Sequence, residues 1–269
     1  ITGIPAIQDI AVARGDDGAN NGTHVLLLGA DGTLWACGRN EFGQLGQGDT
    51  TGRDTPTQIG TDTDWAFITA ADYDGSVWGG HTLFLLDDGK VYGCGRGTEG
   101  QLGGNANQPT PIEITQLGTD NVEVLAWGDV GCSAIKKSDG SFVVAGDNNF
   151  GQLGVGDTAN KSTFTAPLGF SGTVKKFLPM AGRYSSIAVL NSDGEVYVTG
   201  WNSNSNLALG DDTHRTSFER VPLMRGKVAD ISVCGEARAA HHGLVVLTNS
   251  NKLYQAGYEG GYQIQGGVR

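Results

Sequence analysis

Leu26-Leu27-Leu28-Gly29-Ala30-Asp31-Gly32-Thr33-Leu34-Trp35-Ala36-Cys37-Gly38 holds two apolar runs about an Asp-Gly turn, closed by a glycine six residues after the turn glycine. The same arrangement returns four times. It is Phe84-Leu85-Leu86, Asp88-Gly89, Val91-Tyr92, Gly95; then Ile135, Asp139-Gly140, Phe142-Val143, Gly146. It is next Ala188-Val189-Leu190, Asp193-Gly194, Val196-Tyr197, Gly200, and last Val245-Val246-Leu247, Ser250-Asn251, Leu253-Tyr254, Gly257. Turn positions 32, 89, 140, 194 and 251 are 57, 51, 54 and 57 residues apart. A period of this length marks a propeller or a repeat array.

An Asp-Gly pair between apolar runs is a hairpin signal, and the spacing predicts a type I′ turn with φ > 0 at both central residues. The hairpin supplies strands B and C. A short apolar stretch upstream of each would be strand A: Ile7–Ala13, Trp65–Ala70, Val122–Trp127, Val174–Met180 and Val228–Cys234. After strand C comes Gly43-Gln44-Leu45-Gly46, repeated as Gly100-Gln101-Leu102-Gly103 and Gly151-Gln152-Leu153-Gly154. It has drifted to Ser205-Asn206-Leu207-Ala208 and Gly261-Tyr262-Gln263-Ile264-Gln265. One apolar anchor between glycines suggests a tight loop pinned by a buried leucine. Edge strands D are expected at Pro56–Ile59, Pro111–Ile114, Phe164–Leu168 and Phe218–Leu223, where proline needs no partner for an N–H. The chain is thus expected to be all-β: one propeller domain over 1–269 with five four-stranded antiparallel blades, and no amphipathic helix. The repeats run approximately 6–59, 60–114, 115–168, 169–223 and 224–269, with residues 1–5 completing the last blade if the ring closes.

These residues resemble the regulator of chromosome condensation repeat family. Its pattern pairs a histidine before strand B, an Asp-Gly hairpin, and Gly-Gln-Leu-Gly before the outer strand. His24 and His81 match the first element; Cys132, Ser186 and Gly243 replace it later. The resemblance covers essentially the whole chain and implies a propeller, in a family whose rings often have seven blades. The family's founding activity is guanine-nucleotide exchange on a small nuclear GTPase, with docking on chromatin. That activity uses a long wedge-like insertion, for which these spacings leave no room. A nucleic-acid face also needs a basic patch, whereas this chain carries a net charge of −11 and a pI near 4.7. Its basic clusters, Lys136-Lys137 and Lys175-Lys176, are two residues each. The wider family includes bacterial, viral and extracellular propellers that bind proteins, among them a secreted inhibitor of β-lactamases, and the Asp-, Thr- and Asn-rich turns resemble that group.

Other motifs have bland explanations. Gly95-Arg96-Gly97-Thr98-Glu99-Gly100 spells a dinucleotide fingerprint, but it needs a helix after it. Arg14-Gly15-Asp16 is a triple that a Gly- and Asp-rich chain makes by chance, and Asn21-Gly22-Thr23 and Asn160-Lys161-Ser162 are glycosylation sequons only in a secretory route. His241-His242 lacks a third ligand at metal spacing, and the acidic pairs Asp16-Asp17, Asp72 with Asp74, and Asp211-Asp212 match no calcium loop. Cys37 and Cys94 share one repeat slot, filled elsewhere by Ala145, Thr199 and Ala256, so they are expected to be free, buried and inert. No stretch is apolar enough to span a membrane. Ile1 is not an initiator methionine, consistent with a processed form or an excised run of repeats. No nucleophile elbow or phosphate loop is present. The sequence points to no enzyme, cofactor, metal, nucleic acid or membrane insertion.

Binding is instead expected on the A–B loops, which share one end of the blades and differ between repeats: 14–23, 72–80, 128–131, 182–184 and 235–243. They carry Arg14, Asp16, Tyr73, Trp78, Asp129, Arg183, Tyr184, Arg238, His241 and His242. Tyr, Trp and Arg are enriched at hot spots, although Tyr73 and Trp78 would equally suit a plug at the channel mouth. The expected partner is a protein or a surface glycan, with association of copies into an assembly also open. The expected setting is extracellular, cell-surface or virion rather than nuclear.

Overall fold

The structure, a computed structural model, describes residues 3–13, 23–71, 80–127, 131–180, 185–222, 228–236, 241–257 and 263–265. These form five four-stranded antiparallel sheets in meander order. The first holds β1 Ile7–Ala13, β2 His24–Gly29, β3 Leu34–Gly38 and β4 Arg53–Ile59. The second holds β5 Trp65–Ala71, β6 His81–Leu86, β7 Val91–Gly95 and β8 Gln108–Glu113, followed by a 3₁₀ turn at Thr115–Leu117. The third holds β9 Asn121–Trp127, β10 Cys132–Lys137, β11 Phe142–Gly146 and β12 Lys161–Thr165. The fourth holds β13 Val174–Met180, β14 Ser186–Asn191, β15 Val196–Gly200 and β16 Arg215–Arg220. The fifth holds β17 Val228–Glu236, β18 His241–Thr248, β19 Leu253–Gly257 and β20 Gln263–Gln265. This is the expected propeller blade. The fourth strand of the last blade is β20, from its own repeat, rather than residues 1–5. The outer strands also begin three residues earlier than the prolines suggested, because an edge strand accepts polar residues such as Arg53 and Lys161.

Close contacts divide the chain into two compact units. Unit one is 1–138, 143–147 and 160–165; unit two is 139–142, 148–159 and 166–269. Within unit one, Leu26, Leu28, Leu34, Ala36 and Leu45 of the first blade pack with Ile68, Phe84 and Cys94 of the second. Leu83, Val91, Leu102 and Leu117 meet Val124 and Ile135 in the next layer. Within unit two, Leu190, Val196, Val198 and Leu207 pack with Ile231, Leu244 and Val246. The pleat explains this: alternate residues of one strand face the blade before and the blade after, so both faces are apolar. The first blade departs from the pattern. Ile10 is 56% exposed, whereas residues in the same register, Ile68, Val124, Phe177 and Ile231, are at most 7% exposed.

The hairpins differ from the expected type I′ turn. Only Gly32, Gly89, Gly140, Gly194 and Asn251 have positive φ; the residues before them do not. Gly32 N donates to Gly29 O (2.9 Å) and Gly29 N to Thr33 O (2.8 Å), and the pattern returns at Gly89, Gly194 and Asn251. This is a three-residue loop ending in one left-handed residue. The aspartate closes it from the side: Asp31 Oδ1 accepts from Thr33 N and Oγ1, at 3.1 and 2.7 Å. The glycine has a second reason. A Cβ at Gly32 would lie 1.8 Å from the Thr63 carbonyl oxygen, and one at Gly89 2.1 Å from that of Thr119. The tip thus lies against the connector that leads into the following blade.

Candidate functional site

The A–B and C–D connections lie at one end of each blade. The B–C connections at the other end, 30–33, 87–90, 138–141, 192–195 and 249–252, are four residues each. The A–B connections between strands are 14–23, 72–80, 128–131, 181–185 and 237–240, and they range from ten residues to four. Uniform turns at one end and unequal loops at the other are what a scaffold with one variable face has.

The feet of those loops are fixed by a repeated latch. His24 and His81 open β2 and β6 and are fully buried. Nε2 of His24 lies 3.3 Å from Oγ1 of Thr82, which donates to Gln44 O at 2.9 Å. Nε2 of His81 lies 3.0 Å from Oγ of Ser133, which donates to Gln101 O at 2.8 Å. Since each hydroxyl proton is committed to a carbonyl, each histidine donates from Nε2. Burial, and then the neighbouring His24, pull the His81 pKa down to about 3. The last residue before strand B also accepts from the residue after the strand-C glycine. Arg39 N reaches Thr23 O (3.1 Å), Arg96 N reaches Gly80 O (3.0 Å), Asp147 N reaches Gly131 O (2.9 Å) and Trp201 N reaches Ser185 O (3.2 Å).

The C–D loops beside them are held by an asparagine staple that the sequence reading missed. Asn40 Nδ2 donates to Asp49 O and Thr51 O, both at 3.0 Å, while its Oδ1 accepts from Leu45 N at 2.9 Å. Asn148 repeats this with Asp157 O, Ala159 O and Leu153 N, and Asn202 with Asp211 O, Thr213 O and Leu207 N. All three side chains are at most 1% exposed. The signal was legible as Gly-x-Asn at 38–40, 146–148 and 200–202, with aspartate nine residues on. The second blade carries Gly97 there. Hydrogen bonds from Arg53 and Arg215 hold Asp49 and Asp211 below the usual carboxylate range.

Two side-chain groups stand on these loops. In unit one Arg96, 4% exposed, pairs with Glu99 (2.6 Å) under the Phe42 ring (5.8 Å), and Asn160 Nδ2 donates to Glu99 (2.8 Å). In unit two the His214 ring lies 6.0 Å from Phe150 and 6.1 Å from Trp201, and its Nδ1 accepts from Asn202 N at 2.9 Å. Arg39, Arg96, Asp147 and Trp201 occupy one slot after an invariant glycine, a variability that would have drawn attention to these groups.

Of the residues expected to bind, Arg14, Asp16, Tyr73, Trp78, Asp129, Arg183, Tyr184 and Arg238 lie outside the described residues. For His241 and His242 only the expected loop placement is corrected: their backbone belongs to β18, paired with Glu236 and Gly235, and their side chains lie outside the described part. Among the described residues no His, Cys, Asp and Glu cluster has metal-site geometry. Cys94 and Cys132 are buried thiols outside any disulfide, Cys37 is a half-buried one, and burial pushes the Cys37 and Cys94 thiols up.

The regulator of chromosome condensation (RCC1) repeat matches residues 31–71, and a second form of it matches 79–101. The ultraviolet-B receptor UVR8 of Arabidopsis thaliana is 31% identical over 237 residues, 87% of this chain and 51% of that protein. An RCC1-like G exchanging factor-like protein of Homo sapiens is 30% identical over 187 residues, 66% of this chain and 38% of that one. The chain therefore spans about half or less of the length of these relatives. Prp20p of Saccharomyces cerevisiae, described with its binding to Gsp1p and histones, shares the fold at 19% identity, with a TM-score of 0.67 over 87% of this chain and 56% of that one. Repeat signature, blade topology and these likenesses agree: the chain belongs to the regulator of chromosome condensation repeat family of β-propellers.

Proposed function

We propose that the chain is a non-enzymatic recognition module that binds a protein partner through the A–B loop end of its blades. The observation that carries this is the contrast between five hairpins of equal length and A–B connections that run from four residues to ten, set on latched feet. Prp20p, a propeller of the same fold, is described as binding Gsp1p and histones, which supports a protein as the partner class. Trp78, Tyr73, Tyr184 and Arg183 are the anchors, because aromatic and Arg side chains combine apolar area with polar tips. A net charge of −11 favours a neutral or basic partner and repels nucleic acid and anionic membranes. The setting is a secreted or cell-surface protein, or a virion or appendage component. The test is Trp78→Ala with Tyr184→Ala, with folding confirmed, against a partner purified from the native source. Loss of at least about 2 kcal/mol of binding supports the site. Unchanged affinity, with loss instead from Asp31, Asp88 or Asp139 substitutions, moves it to the hairpin end. A specific stoichiometric rise in nucleotide release from a small GTPase replaces the reading with exchange activity, which the likeness to an exchanging factor-like protein keeps as the rival.

A further inference from the structure

The repeat supplies its own control for a cleft between the first two blades. At the junction of blades two and three, the connector returns an amide to two backbone groups. Gln116 Nε2 donates to Gly103 O (3.1 Å), and Phe164 N donates to Gln116 Oε1 (3.0 Å). Leu117 beside it is 4% exposed and packs with Ile114 and Val124. At the junction of blades three and four, a backbone amide serves the same two positions. Leu168 N donates to Gly154 O, and Phe218 N to Leu168 O, both at 2.8 Å. Here Phe170 fills the gap, 5.1 Å from both Phe142 and Tyr197.

The first junction lacks this device. By pairing register, Gly46 corresponds to Gly103 and Gly154, and Pro111 to Phe164 and Phe218. Pro111 has no N–H, and the connector Gly60-Thr61-Asp62-Thr63-Asp64 carries no apolar side chain to insert. What remains is a cleft of about 370 Å³ lined by Gly46, Ile59, Asp62, Trp65, Tyr92 and Pro111. The Trp65 and Tyr92 rings meet edge to face at 5.3 Å, and the buried Trp65 indole N–H has no hydrogen-bond partner. The volume falls in the range of ligand sites, which are commonly apolar with a few polar groups. On one side the cleft reaches the hairpin end, where Asp64 O, at the end of the connector, accepts from Asp87 N at 3.0 Å.

We propose that this cleft docks a short turn-forming peptide of a partner protein, which supplies the amide donor and the apolar side chain that the connector provides at the next two junctions. The charge around it selects a basic flank. Asp62 lines the cleft, Glu113 accepts from the Tyr92 hydroxyl, and the neighbouring cation, Lys90, is paired with Asp88 at 2.7 Å. The internal stand-in, residues 114–118, defines a probe: the peptide Ile-Thr-Gln-Leu-Gly flanked by lysines.

Titration of the folded chain with this peptide, followed by the Trp65 indole N–H resonance and by calorimetry, is expected to show saturable one-to-one binding. Asp62→Lys at low salt is expected to weaken it about fivefold. Thr110, an exposed residue, also lines the cleft, so Thr110→Trp is expected to fill it and abolish binding, and a peptide with alanine for leucine to bind about tenfold more weakly. Both variants change exposed residues, and unchanged thermal unfolding establishes that they fold. Absence of saturation, equal binding by the alanine peptide, or wild-type affinity in Thr110→Trp would each overturn the proposal.

Discussion

At the scale of single residues, the staple asparagines and the latch histidines do most to shape the loops. Asn40 satisfies three backbone groups while almost completely buried, so truncation leaves the Leu45 N–H and two carbonyls to find new partners. Asn40→Ala is expected to cost about 2–4 kcal/mol in chemical denaturation, well above the effect of alanine at exposed Asp54. His81 makes stability depend on pH. Its folded pKa, about 3, lies below the ordinary 6.5, so between those values the unfolded chain binds the extra proton. Stability is full above pH 6.5 and falls as pH drops through that window, by up to about 1.4 kcal/mol per unit. His81→Asn, which has no ring to titrate, is expected to flatten the slope of unfolding free energy against pH there; an unchanged slope would assign it to other groups.

At the scale of elements, turns and signature loops depend on left-handed backbone. Gly89→Ala combines positive φ with a Cβ 2.1 Å from the Thr119 carbonyl oxygen, so it is expected to lower stability by more than about 2 kcal/mol. The fourth blade offers the opposite experiment. Ala208 takes the place of Gly46, Gly103 and Gly154 at φ 59, a conformation that costs an alanine roughly 1 kcal/mol. Ala208→Gly is expected to raise the melting temperature, whereas Gly46→Ala lowers it. Most of this level was legible in advance. The Asp-Gly hairpins, strands A to C and buried Leu45, Leu102 and Leu153 followed from period and glycine placement, since local chemistry fixes them. The turn type did not follow, because Asp-Gly suits both two- and three-residue loops and only the ladder hydrogen bonds decide between them. Strand D was placed late for a similar reason: an edge strand such as Arg53–Ile59 has no apolar alternation to read.

At the scale of the whole molecule, period and hydropathy made the propeller legible, but the candidate site only as a set of loops. Trp78 and Tyr184 were chosen by residue type and loop variability. The Arg96–Glu99–Phe42 group was missed because its members come from two different repeats, and the pairing that joins them is not sequential. The acidic surface carries its own expectation. With a net charge of −11, association with a basic partner should slow as ionic strength rises from about 0.05 to 0.5 M, with dissociation changing less; stopped-flow binding measures both. The staple has one further consequence. Asn40, Asn148 and Asn202 each reach no more than eleven residues along the chain, always within one repeat. Each of these three blades therefore carries its own fastening, which duplication or deletion of a neighbouring repeat would leave whole.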